Sequence, residues 1–328
     1  MKASKNIGRI VGAFCLLLHL FCGVAVAVAA DTAWPTKPIT LVCGYSAGGS
    51  SDLGCRYLAS ALEKQLGVPI VVENRPGGGS WVAWNRFLHN TPADGYTFAL
   101  VNLGIVFGHY DAKNPRKETL DDFELLANQA IDYQVIAIHP NETRFSDYKG
   151  LLEYAKEHEL LMGASATNIN SGEASIAEML KKIHGCKITV VPSGGASEVN
   201  TMFISKNVDF LIANVGDVTL NPKDYKVIVI FSDKRDSQLP DVPTEKELGF
   251  GEYTAFSARG YAYMKGVAPE IVSKMAQALI AAIQDPVHLE NMRKAGINVE
   301  LHSGAEYRTL LEGQLKQRAK VWGVDLNQ

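Results

Sequence analysis

Ile39-Thr40-Leu41-Val42-Cys43-Gly44-Tyr45-Ser46-Ala47-Gly48-Gly49-Ser50-Ser51-Asp52-Leu53 joins an apolar run, a turn of small residues and the start of a helical pattern. β-branched and apolar residues fill Ile39 to Cys43, as in a buried strand. Leu53, Tyr57, Leu58, Ala61 and Leu62 then recur at helical spacing. The stretch reads as strand, turn and helix. Such a turn delivers a helix N-terminus, whose free N–H groups and dipole attract an anion or carboxylate. Gly48 and Gly49 let a ligand approach the main chain closely. Two functions fit. Gly44-Tyr45-Ser46-Ala47-Gly48 matches the G-x-S-x-G elbow of a hydrolase with Ser46 as nucleophile, and the same turn also fits a binding loop with no nucleophile. An ordinary βα turn is the plain alternative.

The 328 residues, with net charge -3 and 47% hydrophobic content, describe globular material long enough for two domains. Beyond the N-terminus there is no Lys/Arg cluster, which argues against nucleic acid or an anionic membrane as the main partner. Lys2, Lys5 and Arg9 precede an apolar run from Ile10 to Val28, closed by Ala27-Val28-Ala29-Ala30. This predicts a secretory signal peptide over 1–30, cleaved after Ala29 or Ala30, with an uncleaved anchor as the rival. Cleavage would leave Cys43, Cys55 and Cys186, an odd number that cannot form a complete disulfide framework. Cys43 and Cys55 are either a local disulfide or buried small hydrophobes.

Val68 to Asn74 reads as a second strand, so the first unit is βαβ with a parallel sheet. Thr97 to Val101 follows as a strand, with Asn102 just past its end, either reaching a ligand at the carboxyl edge of the sheet or serving as a turn residue. The segment from Asp121-Asp122-Phe123 to a strand stopped by Pro140 marks a domain crossing. Ser165 to Glu173 then precedes a helix over Ile176 to Ile183, with Asn170 and Glu173 at capping-box spacing. Ser193-Gly194-Gly195-Ala196 is a third strand-to-helix turn. The strand Val208 to Ala213 ends at Asn214-Val215-Gly216-Asp217, and Tyr225 to Phe231 reads as the strand completing a second parallel unit. Tyr253 to Met264 reads as an extended return crossing, and amphipathic helices over Pro269–Ile283 and Glu306–Trp322 close the chain.

The chemistry is narrowed by what the sequence lacks. No metal-ligand spacing or nucleotide loop occurs, so no metal and no cofactor are expected. Ser46 lies too early in the chain for a hydrolase elbow, and His139, His288 and His302 are undistinguished partners for it. A secreted two-domain α/β protein with repeated strand-to-helix turns is expected to bind a ligand in a cleft, without being an enzyme.

A resemblance covers the whole chain after the signal, in order: Trp34-Pro35-Thr36-Lys37-Pro38-Ile39, Ala47-Gly48-Gly49-Ser50-Ser51-Asp52, Val72-Glu73-Asn74-Arg75-Pro76-Gly77, Asp94-Gly95-Tyr96-Thr97, Asp121-Asp122-Phe123, Val208-Asp209-Phe210 and Leu239-Pro240-Asp241-Val242-Pro243-Thr244. With these the sequence resembles the Bug family, the periplasmic receptors of tripartite tricarboxylate transporters. The resemblance implies a type II periplasmic binding protein fold: two α/β lobes with mainly parallel sheets, joined by two crossing strands, with a ligand cleft between them. Lobe 1 is expected over 31–134 and 254–328, and lobe 2 over 135–253. It implies a monomer that captures a small carboxylate (a di- or tricarboxylate, an aromatic acid or an acidic amino acid) and hands it to membrane permease subunits, or else docks on a membrane kinase as a sensor. Carried over by position, Tyr45, Ser46, Ala47, Gly48 and Gly49 would surround one carboxylate. Asp52 would contact ligand or stabilise the helix, and Ser165, Ala166, Thr167, Asn168, Ser193, Asn214 and Asp217 would face them from lobe 2. Where the family often has V-P-Y-K-G-G, this chain has Val191-Pro192-Ser193-Gly194-Gly195-Ala196, which predicts a less aromatic, more polar distal pocket.

Overall fold

The computed structural model describes residues 34–111, 116–164, 171–193 and 196–326. The expected signal segment and Ser165, Ala166, Thr167, Asn168 and Asn170 lie outside the described residues.

The opening stretch forms β1 (Ile39–Cys43) and α1 (Ser50–Leu66). α1 buries Cys55, Leu58, Ala61 and Leu62 and stops at Gly67, whose φ of 70° suits glycine. β2 (Ile70–Asn74), α2 (Trp81–Asn90), β3 (Thr97–Val101) and the short α3 (Gly104–Phe107) complete the first unit. β1 pairs in parallel with β2 and β3, as the βαβ spacing predicts.

β4 (Phe123–Ile138) is a sixteen-residue strand that changes neighbours part-way. Up to Tyr133 it pairs antiparallel with β9 (Phe256–Met264), and from Gln134 it pairs antiparallel with β7 (Phe210–Asn214). Around it come α4 (Tyr148–Glu157), β5 (Leu160–Ala164), α5 (Gly172–His184), β6 (Ile188–Pro192), α6 (Ala196–Ile204), α7 (Val215–Leu220) and β8 (Lys226–Ile230). β6, β5 and β7 form the second parallel run. α8 (Pro269–Ile283), α9 (Pro286–Lys294), β10 (Val299–Ser303) and α10 (Gly304–Trp322) end the chain. The strand order is β2-β1-β3-β9-β4-β7-β5-β6, with β8 and β10 also on β4. Two α/β lobes, each with a parallel run closed by an antiparallel strand, therefore meet along β4 and β9.

Four details differ from the sequence expectation. β8 does not extend the parallel run: it lies on the free edge of β4, antiparallel, with Val135 opposite Ile230. α5 begins at Gly172 and is capped by the Ser171 side chain, which accepts from the Ala174 amide, so the Asn170 spacing does not set the cap. α9 and β10 occupy a region read only as the gap between two helices. α10 also reaches further than a lobe 1 helix would. Val321 packs in the core of β5, β7 and α5, Trp322 Nε1 donates to Ser175 Oγ at 3.2 Å, and Lys182 Nζ donates to the Val321 carbonyl at 2.9 Å.

Candidate functional site

A cleft of about 790 Å³ opens at the carboxyl ends of the parallel strands, where open α/β sheets bind ligands. Tyr45, Ser46, Gly49, Asn102, Asn214 and Asp217 line it, drawn together from turns far apart in sequence. Asn102 Nδ2 bonds the Tyr45 hydroxyl, while its Oδ1 accepts from the Gly104 amide at 2.8 Å. Tyr45 and Asn102 thus fix each other, and burial pushes the Tyr45 hydroxyl pKa up, so it stays a neutral hydrogen-bonding group.

Other expected residues are placed elsewhere. Asp52 is buried and turned into its own loop rather than towards ligand. It accepts from the Gly48 amide at 2.8 Å, Arg56 Nε at 2.9 Å and Asn74 Nδ2 at 2.8 Å. Burial raises its pKa, but these three donors outweigh burial and hold it below the ordinary carboxylate value. The Gly48 amide is therefore already spent, and Gly48 serves the turn through its φ of 85°. Ala47 and Ser193 do not line the cleft; the Ser193 amide and hydroxyl both point to the Ala164 carbonyl.

The anion-attracting element is the first turn of α1. Gly49 is its N-cap with no side-chain cap hydrogen bond, and Gly49, Ser50 and Ser51 face the cleft. Beside them is a residue that sequence reasoning passed over. Arg259 on β9 is 7% exposed and lines the cleft; its Nη2 donates to Ser50 Oγ at 3.1 Å, while Nε and Nη1 are buried with no hydrogen-bond partner. A guanidinium carries five donors, and leaving them unpaired away from water is costly. The signal was present in the run Phe256-Ser257-Ala258-Arg259-Gly260, since an arginine inside an otherwise buried strand is rare unless something pairs with it.

Asp132 on β4 lies under this wall and accepts from the Gly216 amide at 3.2 Å. Burial pushes its pKa up to about 7, against the pull of Arg259 and the Gly216 amide. Asp217 is also raised by burial, with the Asn214 amide and Arg259 opposing. Gln134, Ser171, Glu173, Asn200, Ser257 and Arg318 add to the polar lining among the described residues.

Ser46 is exposed at the cleft, but the histidines that a triad would need are engaged elsewhere. His139 stacks on Phe203 and bonds its carbonyl at 2.7 Å, His288 meets Gln129 at 3.0 Å and His302 meets Glu300 at 3.0 Å. Cys43 and Cys55 are both buried free thiols.

Comparison with known proteins follows the same lines. Residues 55–323 match a family model described as "Tripartite tricarboxylate transporter family receptor". The chain is 28% identical over 294 residues to the "UPF0065 protein in gbd 5'region" of Cupriavidus necator, covering 88% of this chain and 87% of that one. Among solved structures, a TctC solute-binding protein from Polaromonas superposes with a TM-score of 0.76 at 21% identity, covering 88% of this chain and 99% of that chain. MatC from Rhodopseudomonas palustris, solved with bound malate, gives 0.74 at 21% identity, covering 88% and 99%. At these identities the structural likeness speaks for the type II binding protein fold.

Proposed function

The chain belongs to the tripartite tricarboxylate transporter receptor family, and from that premise we propose that it captures a small carboxylate in the cleft and delivers it to membrane permease subunits. The observation that carries this reading is Arg259, a buried guanidinium with two unpartnered nitrogens set beside the uncapped N-terminus of α1. A carboxylate there receives charge-assisted hydrogen bonds from Arg259 and from the amides of the first turn of α1. Tyr45, Ser46, Gly49 and Asn102 shape the pocket from lobe 1, and Asn214 and Asp217 reach it from lobe 2. The malate held by MatC is a small carboxylate, the ligand class proposed for this cleft.

We place lobe 1 over 31–134 and 254–328 and lobe 2 over 135–253. In support, β4 changes partners at Gln134, and the Gln134 and Ala255 backbones meet at 2.8 Å beside it. A ligand that touches both lobes gains contacts only in the closed form and so shifts the hinge towards closure, which excludes water and strengthens the Arg259 ion pair. The receptor works as an exported monomer, processed near Ala29 or Ala30, in the periplasm.

Thermal-shift screening against mono-, di- and tricarboxylates, aromatic acids and amino acids tests the reading. Bound ligands raise Tm by mass action. Arg259→Gln removes most of that shift, since a hydrogen-bonded charge contributes about 1.5–3 kcal/mol, or roughly tenfold to a hundredfold in Kd. If no carboxylate in the panel raises Tm, the proposal fails.

A further inference from the structure

We propose that Asp132 competes with the ligand for Arg259, so that a carboxylate enters the cleft together with one proton, which Asp132 takes up. The inference rests on the carboxylate-receptor reading of the cleft and adds a second participant to the binding step.

Asp132 and Arg259 share one face of the β4 and β9 pair, where Asp132 lies opposite Ser257 and Ala130 opposite Arg259. Both are buried, Asp132 at 4% exposure, yet they form no direct ion pair. The guanidinium is turned towards α1: Nη2 donates to Ser50 Oγ at 3.1 Å, and Nε and Nη1 have no partner. The carboxyl is turned towards α7, where its one hydrogen bond among the described residues comes from the Gly216 amide at 3.2 Å.

One neutral donor suits a protonated carboxyl. An ionised carboxylate offers about four acceptor sites. Asp52 shows how this protein holds one, with the Gly48 amide, Arg56 and Asn74 all donating to it. Asp132 lacks such a set. Burial opposes its charge, as do Asp217 on α7 and Asp236 beyond β8, while Arg259 from β9 and the Gly216 amide support it. A ligand carboxylate on Arg259 neutralises the larger of these supports and adds another anion to the site. Two carboxylates beside one guanidinium cannot both stay ionised where water is excluded. The ligand keeps its charge through the Arg259 donors and the first-turn amides of α1, and Asp132 takes a proton from solvent. Linkage fixes the sign. Below about pH 7 Asp132 already holds its proton and affinity is level; above it, affinity falls as pH rises, by up to about tenfold per unit for one proton.

The test is isothermal titration of the purified protein with butanoate, succinate, malate and benzoate at about pH 8, where these acids are ionised. Repeating it in buffers of different ionisation enthalpy counts the protons. The expected count is about 0.5–1 proton taken up per molecule bound, with Kd about tenfold weaker at pH ~8.5 than at pH ~6.5. Asp132→Asn has nearly the same shape and no charge to lose. It should take up no proton and bind about tenfold more tightly than the parent at pH ~8.5. A substitution that only loosened the fold would weaken binding at both pH values, which counts against the proposal. Should the variant not fold, the proton count of the parent decides alone. Binding without proton uptake in the parent, or uptake that persists in Asp132→Asn, overturns this proposal and leaves the carboxylate receptor standing. Silence from these four acids and from the rest of the carboxylate panel overturns both.

Discussion

Asp132 and Arg259 are diagonal neighbours on one face of the β4 and β9 pair, since Asp132 sits opposite Ser257 and Ala130 opposite Arg259. Their pairing is incomplete, because Asp132 still keeps its proton up to about pH 7. In the unfolded chain that carboxyl releases its proton near pH 4. Between these values the folded state binds the extra proton, so the contribution of Asp132 to stability falls as pH rises from about 4 to about 7 and is level above. Asp132→Asn removes the effect, and urea unfolding should show the variant gaining on the parent across this window. The gain at pH 8 should be on the order of 2–4 kcal/mol. A gap that stays constant from pH 4.5 to 8 would mean that Asp132 is ionised throughout. Tyr45 and Asn102 were legible as cleft residues because each follows a strand at its carboxyl end, a position that topology alone fixes. Arg259 was visible only as an arginine inside an otherwise buried strand, and what gives it value, donors that fail to pair there, is something that sequence does not display.

At the scale of elements, the turn before α1 is held from behind. Asp52 collects the Gly48 amide, Arg56 and Asn74, and Asn74 also donates to the Tyr45 carbonyl at 3.0 Å, so one buried carboxylate ties α1, β2 and the cleft loop together. Asp52→Ala leaves those donors unanswered and should cost about 2–3 kcal/mol in chemical denaturation. It should also weaken ligand binding without any lost ligand contact. Ser46→Ala should change binding by less than about threefold, because a single neutral hydroxyl contributes about 0.5 kcal/mol at an exposed position. In α10, a Cβ at Gly313 would meet nothing within 4 Å. Gly313→Ala is therefore expected to stabilise by about 0.5–1 kcal/mol through helix propensity, read as a rise in Tm. α8 was legible to the residue because Pro269 marks its start and its apolar stripe is long. α9 and β10 were not: Val287 and Leu289 are exposed, and Val299-Glu300-Leu301-His302-Ser303 is half-buried throughout. β8 was found, but its neighbour was not, because strand spacing does not say which edge of a sixteen-residue β4 is free.

For the whole molecule, three segments connect the lobes. β4 and the return into β9 cross in the chain, and α10 starts on lobe 1, where Tyr307 donates to the Val101 carbonyl at 3.1 Å, and ends in the core of lobe 2 at Val321. Two strands meeting at Gln134 and Ala255 allow bending about one line, and α10 limits how far the lobes separate. Bound ligand should therefore bring the walls together by a modest rotation about that line. Small-angle scattering reads this directly. A chain of about 300 residues has a radius of gyration near 19 Å when compact, and saturating ligand should reduce the measured value. At the same ligand concentration Arg259→Gln should stay at the ligand-free value, because the carboxylate no longer gains differential contacts in the closed form. Trp322→Ala should give a larger ligand-free radius than the parent, since it removes the bond to Ser175 that fastens α10 to lobe 2. If ligand leaves the parent radius unchanged while calorimetry shows full occupancy, then binding does not close the cleft, and the proposed hand-over would have to rest on the ligand-filled surface itself.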